Sequence, residues 1–252
     1  MMEEETKHPN HLPQIENYQF HIKSVPSELG WMVCELPPTA MKRLKSYMEI
    51  QKANTRAEGY VPNSGSAILT DVDDWFFKNY IEYMCYDYIH KMKTPCFFRQ
   101  WGEAKHPFML DFMWVNYQKK HEFVSAHNHD AVFSFVIFME IPTHWSEQYT
   151  NRMDRSGESA GLKSTTADFH FEYVNGFGEH RMHQISMSPK MNGTLLFFDG
   201  RINHHVNPFY DCDEDRITIS GNVNYNTEVL LPNDDLRRQQ QFNKRPFVGH
   251  FT

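Results

Sequence analysis

Apolar positions along the chain follow two different periods, and the change between them falls near residue 107. Residues 37–54, PPTAMKRLKSYMEIQKAN, place Met41, Leu44, Tyr47 and Met48 at helical spacing behind Thr39, a candidate N-cap. Residues 66–95 repeat the pattern with Phe77, Tyr80, Ile81, Met84 and Tyr88, following Asp71 or Asp73 as candidate caps and stopping before Pro95. Beyond Pro107 the texture is that of strands: 108–118, 122–142, 167–174, 180–188, 193–200, 203–208 and 215–225. Nothing helical separates them, which excludes a βαβ arrangement. About eight short strands preceded by helices predict a mainly β fold, a double-stranded β-helix or jelly-roll barrel with N-terminal supporting helices.

The same pattern predicts the organisation. Residues 1–107 form a helical support packed on the barrel, 108–225 the barrel, and 226–252 an extended arm that offers a route to oligomers. The polar stretch 143–166 reads as a long surface excursion, either a lid over a site or decoration.

Composition narrows the picture. The 252 residues suit one large domain, and an aromatic fraction of 15% supplies the core that a 40% hydrophobic content leaves lean. Against 32 acidic side chains stand 25 basic ones, a net charge of −7 without a basic run, which argues against nucleic acid as a partner. There is no apolar run of membrane-spanning length, and the start MMEEETKHPNHLP lacks a signal's apolar centre. Cys34, Cys85, Cys96 and Cys212 form no CxxC pair and read as reduced thiols of an intracellular, cytoplasmic protein. The outlying number is 15 histidines, nine of them between His121 and His205.

Two clusters carry candidate chemistry. In AHNHD, 126–130, a strand puts His127 and His129 on one face and Asp130 on the other, so two imidazoles can chelate one cation. The bland alternative is an exposed pair on a loop. In GRINHHVNPFYDCDEDRITIS, 200–220, His204 and His205 face opposite ways, so only one of them joins the first pair easily. Arg216 opens the following strand with Thr218 and Ser220 on its face. A buried arginine beside hydroxyls is a fit receptor for a carboxylate, whereas an exposed one would pair with Asp213 or Asp215. His144, His170, His180, His183 and His205 read as ordinary strand and surface histidines. Glu103, Glu122 and Glu179 are isolated acids, and the turn Asp211–Asp215 lacks the pattern of a calcium loop.

Two stretches, MWVNYQKKHEFVSAHNHDAVFSFVIFMEIP (113–142) and NGTLLFFDGRINHHVNPFYDCDEDRITISGNV (192–223), resemble the 2-oxoglutarate- and Fe(II)-dependent oxygenases, in a branch related to prolyl hydroxylases and common in phage and marine microbial genomes. The resemblance covers about residues 108–225. It implies Fe(II) as the metal and 2-oxoglutarate as cosubstrate. It further implies hydroxylation of a C–H bond, of a protein (prolyl, for example) or a small molecule, with succinate and carbon dioxide as co-products. It places His127 and His204 as metal ligands and Arg216 as the clasp for the distal carboxylate of 2-oxoglutarate. Thr218 is then an added hydroxyl, and Tyr117 a cosubstrate-binding residue with Asn116 as its alternative. The wider superfamily's usual motif is H-x-D, and this chain has His129 in the third position. Strand parity favours His129; a bulge would instead present Asp130; two histidines alone are the third option. The departure also leaves room for a jelly-roll structural or binding protein, virion-associated for instance, that has lost turnover. A cupin-like metal enzyme without 2-oxoglutarate is a further class, against which Arg216 argues.

Overall fold

The computed structural model describes residues 23–25, 30–57, 65–92, 107–150 and 164–227. The expected loose start, Cys96, nearly all of the expected arm and residues 151–163 of the polar excursion lie outside the described residues.

Before the barrel come β1 (Lys23–Val25), β2 (Trp31–Glu35), α1 (Pro38–Ala57), β3 (Ser66–Leu69) and α2 (Glu82–Met92), the last entered through a π-turn at Phe77–Ile81. The barrel strands follow as β4 (Phe108–Gln118), β5 (Val124–His127), β6 (Phe133–Glu140), β7 (Phe169–Val174), β8 (His180–Ile185), β9 (Thr194–Asp199), β10 (Asn203–Val206) and β11 (Arg216–Tyr225). They form two antiparallel sheets, one ordered β1-β2-β9-β6-β11-β4-β3 and one ordered β5-β10-β7-β8. This is the jelly-roll architecture expected from the strand spacing.

Local chemistry explains where elements begin. The helix α1 starts at Pro38, one residue before the expected Thr39 cap, because proline's fixed φ suits a first turn that needs no N–H donor. Asp71 is the acid that serves the second helical segment: its two carboxylate oxygens accept from the backbone N–H groups of Phe76 and Phe77. Ser66–Leu69, which lies in the stretch read as the second helical pattern but ahead of its candidate caps, is a strand paired with β4, reached through Gly65 in the left-handed region. The gain of a sheet ladder outweighs a weak helical start.

Strand alternation then sorts side chains into two cores. Met113, Val115, Phe133, Phe135, Ile137, Leu195, Phe197 and Ile219 face one way and pack with Leu44, Tyr47, Phe77, Ile81, Met84 and Tyr88 of the helical segments. Val136, Phe138, Leu196 and Phe198 face the other way and pack between the sheets with Trp31, Phe169 and Phe171. Both faces of β9 are therefore covered, which is why TLLFFD reads as an unbroken apolar run. No helix among the described residues is long and apolar enough to cross a membrane.

Phe197 is fully buried and touches the rings of Phe133 and Tyr88. Phe197→Ala is expected to cost about 3–5 kcal/mol, read as a lowered denaturant midpoint. An unchanged midpoint would contradict this packing.

Candidate metal centre

The smaller sheet brings the first two histidines together through strand pairing. β5 runs antiparallel to β10, with His127 directly opposite His204 and a bulge before Val206. Their ring centroids are 4.3 Å apart. His129 arrives differently from the parity expectation, because β5 ends at His127 and His129 lies in the following loop. Its backbone N–H donates to Gly200 O at 2.8 Å, and its ring rests 5.7 Å from that of Trp114 on β4. The candidate ligand nitrogens of His127, His129 and His204 all lie within 4.8 Å of one another. Among the described residues this is the one such group; Asp130 is exposed and does not belong to it.

Hydrogen bonds orient the rings. His127 Nδ1 lies 2.8 Å from Ser125 O and His204 Nδ1 lies 3.0 Å from Ile202 O. A carbonyl can only accept, so each Nδ1 carries the proton and each Nε2 is left with a lone pair. Phe169 stacks on His204, and Phe198 meets it edge-on at 5.0 Å. Burial in this aromatic setting, with the neighbouring His127 second, pushes His204 down to about 3. Burial and then His127 push His129 down to about 4. Three imidazoles with ligand nitrogens this close make a donor set that would fit a borderline divalent metal such as Fe(II).

Arg216 begins β11 with only 1% of its surface exposed. It does not pair with Asp213, which binds Lys120 instead. Its guanidinium donates to Gln118 Oε1 and Asn207 O, each at 3.3 Å, and to Ala167 O at 2.9 Å, above the Phe209 ring. Its Nε–H is buried without an acceptor. Burial lowers its proton affinity to about 10, and the nearby buried Asp168 opposes that fall. Asp168 is itself held by Tyr149, Gln184 and the Met187 N–H. A buried cation with an orphaned donor is costly unless an anion can reach it.

Register separates the remaining candidates. Arg216, Thr218 and Ser220 pair with Gln118, Asn116 and Trp114. Cross-strand partners share a face, so these six side chains line the space between the sheets. Tyr117 points to the other face, against the helix-side core, where its hydroxyl is buried. The side chain next to Thr218 is thus Asn116, the alternative to Tyr117. His205 turns away from His204 as expected, stacking on His170 and meeting Glu172 at 2.6 Å. Gln118, Asp168 and Gly200 carried no motif of their own; strand alternation along 114–118 is the signal that relates Gln118 to Asn116.

Residues 112–222 match the family described as "Putative 2OG-Fe(II) oxygenase". Among solved structures, the chain is similar to a Pseudomonas putida prolyl-4-hydroxylase at 14% identity and TM-score 0.40, covering 78% of this chain and 92% of that one. It is similar at 9% identity and TM-score 0.40 to a viral collagen prolyl hydroxylase from Paramecium Bursaria Chlorella virus-1, covering 80% and 94%. A non-heme alpha ketoglutarate dependent epimerase from nogalamycin biosynthesis matches at 9% identity and TM-score 0.45, covering 78% of each chain. No curated protein matches at a significant level.

Two predictions arise from this geometry. A Cβ on Gly200 would sit 2.4 Å from Ala131 O, so Gly200→Ala must displace the loop that carries His129. Ferrous-ion affinity measured by calorimetry should fall by about 10- to 100-fold while the fold is retained. His170 is fully buried, and burial followed by the charge of His205 lowers it from 6.5 to about 4. Its depressed proton affinity contributes stability that is present above pH 6.5 and lost as pH falls toward 4. The metal-free melting temperature should therefore drop across that window, and His170→Gln should make the drop shallower; an equally steep profile would contradict it.

Proposed function

We propose that this chain, whose residues 112–222 match the family described as "Putative 2OG-Fe(II) oxygenase", uses His127, His129 and His204 to hold Fe(II) and Arg216 to hold the distal carboxylate of 2-oxoglutarate. The observation that carries the reading is the pairing of a three-histidine centre with a buried arginine whose Nε–H has no acceptor. His129 is preferred over Asp130 because its ring lies with the other two and Asp130 is exposed.

When bound, Fe(II) with 2-oxoglutarate and dioxygen supplies an oxidation in which one oxygen atom enters a substrate C–H bond and the other leaves in succinate, with carbon dioxide released. The chain's own residues supply geometry. His127 and His204 keep their Nδ1 protons on backbone carbonyls, which holds their Nε2 lone pairs toward the metal. Phe169, Phe171 and Phe198 exclude water from the His204 side. Arg216 and the Thr218 hydroxyl receive the distal carboxylate, with a bidentate-capable cation that cannot lose its charge at neutral pH. The Trp114 ring lies 5.2 Å from that of Phe112, tilted by 31°; Phe112 is 43% exposed, and the two form an aromatic wall leading from His129 to solvent. That wall suits a substrate group carried by a protein or another biomolecule, whose C–H bond would be brought in beside the metal.

The test is an anaerobic titration. Fe(II) and 2-oxoglutarate are expected to produce a visible charge-transfer band, and admitting oxygen should yield succinate. His127→Ala should abolish the band, Arg216→Ala should raise the 2-oxoglutarate concentration needed by at least about 10-fold, and His129→Ala should weaken it more than Asp130→Ala. Absence of any band with the wild-type protein would sink this reading.

A further inference from the structure

Across three adjacent strands the register lines up three polar side chains in one row. Ser66 of β3 stands opposite Asn116 of β4, and Asn116 stands opposite Thr218 of β11. Ser66 Oγ donates to Asn116 Oδ1 at 2.6 Å. Asn116 Nδ2 in turn donates to Thr218 Oγ1 at 3.4 Å. The order of the chain is set by chemistry, since a carboxamide oxygen only accepts and its nitrogen only donates. With Ser66 occupying the oxygen, the amide is turned so that its NH2 faces Thr218. The threonine oxygen then receives a proton, and its own O–H is left to donate elsewhere.

Two residues away on the same face of β11 lies Arg216, with its buried Nε–H lacking an acceptor. Two donors, one charged and one neutral, are therefore presented on one wall of the space between the sheets. A carboxylate offers acceptor lone pairs for both.

We infer that Ser66 and Asn116 are positioning residues for the distal carboxylate of the cosubstrate, acting by holding the Thr218 hydroxyl as a donor beside Arg216. The inference rests on the proposed reading that Arg216 receives that carboxylate. Ser66 lies outside the family-matched residues 112–222, so part of the receptor comes from an edge strand supplied by the N-terminal region. The same row explains why Asn116, and not the neighbouring Tyr117, matters to this face.

The test compares two ligands by calorimetry on the Zn(II)-loaded protein, where no turnover occurs. One is 2-oxoglutarate; the other is 2-oxopentanoate, which keeps the keto-acid end and the chain length but lacks the distal carboxylate. Asn116→Asp replaces the donating NH2 with an accepting oxygen, which takes the Thr218 proton and adds a negative charge. It should weaken 2-oxoglutarate by at least about 10-fold and leave 2-oxopentanoate within about twofold. Ser66→Ala frees the amide to rotate and should weaken 2-oxoglutarate alone by about three- to tenfold, while Ser66→Thr, which keeps the hydroxyl, should restore binding. Equal losses for both ligands, or no loss for 2-oxoglutarate in the Ser66 pair, would overturn the positioning role; that pair decides the matter even if Asn116→Asp does not fold. A wild-type protein that binds neither ligand would instead overturn the functional reading on which this one depends.

Discussion

The register of β11 between β4 and β6 governs everything that the site can do. Its alternate residues Ile217, Ile219 and Val223 go to the helix-side core, and Arg216, Thr218, Ser220 and Asn222 go to the space between the sheets. A slip of one residue would exchange the two sets, burying a guanidinium among Phe135, Phe197 and Met84 and presenting isoleucines to the space between the sheets. The slip is prohibited because both faces of β11 are occupied: apolar side chains fill one, and a row of paired polar groups fills the other. Gly221 adds a steric lock, since a Cβ there would lie 2.4 Å from the Phe135 ring.

That division leaves the interior itself uneven. On the β6 and β9 side it is lined by Val136, Phe138, Leu196 and Phe198, which close with Phe169 and Phe171 into a dry core. On the β4 and β11 side it is lined by Trp114, Asn116, Gln118, Arg216 and Thr218. The dry half depresses the proton affinity of His204 by burial, and the polar half holds a cation that burial alone would make unfavourable. The two halves meet at the histidine group, whose members come from β5, from the loop after it and from β10. Gly200 links the parts: its carbonyl accepts from His129, its N–H donates to Val132 O, and its missing side chain lets the two loops touch.

Much of this could be read along the chain. The period-two runs after Pro107 correspond to β4 and β6–β11, and the helical stripe Phe77, Tyr80, Ile81, Met84 and Tyr88 is buried throughout. Other elements were hidden for identifiable reasons. Trp31–Glu35 and Ser66–Leu69 are short strands whose pairing partners, β9 and β4, lie far away in sequence, so local pattern carries little of their stabilisation. His129 was anticipated as a strand residue sharing a face with His127. It reaches the same point from a loop, held by Gly200 and Trp114. Tyr117 illustrates the opposite case, in which spacing from a motif suggested a role and side-chain parity directs the ring to the other face.

By itself the sequence determined the fold class, the histidines that could meet and the arginine that could serve them, because periodicity and residue chemistry are local properties written in order along the chain. The tertiary structure decided what depends on distant pairing: which face of β4 belongs to the interior, which of His129 and Asp130 lies with His127 and His204, and whether Arg216 is exposed or buried. Those outcomes turn on register and burial. Both are settled only when strands separated by 75 or more residues, such as β5 and β10, lie side by side.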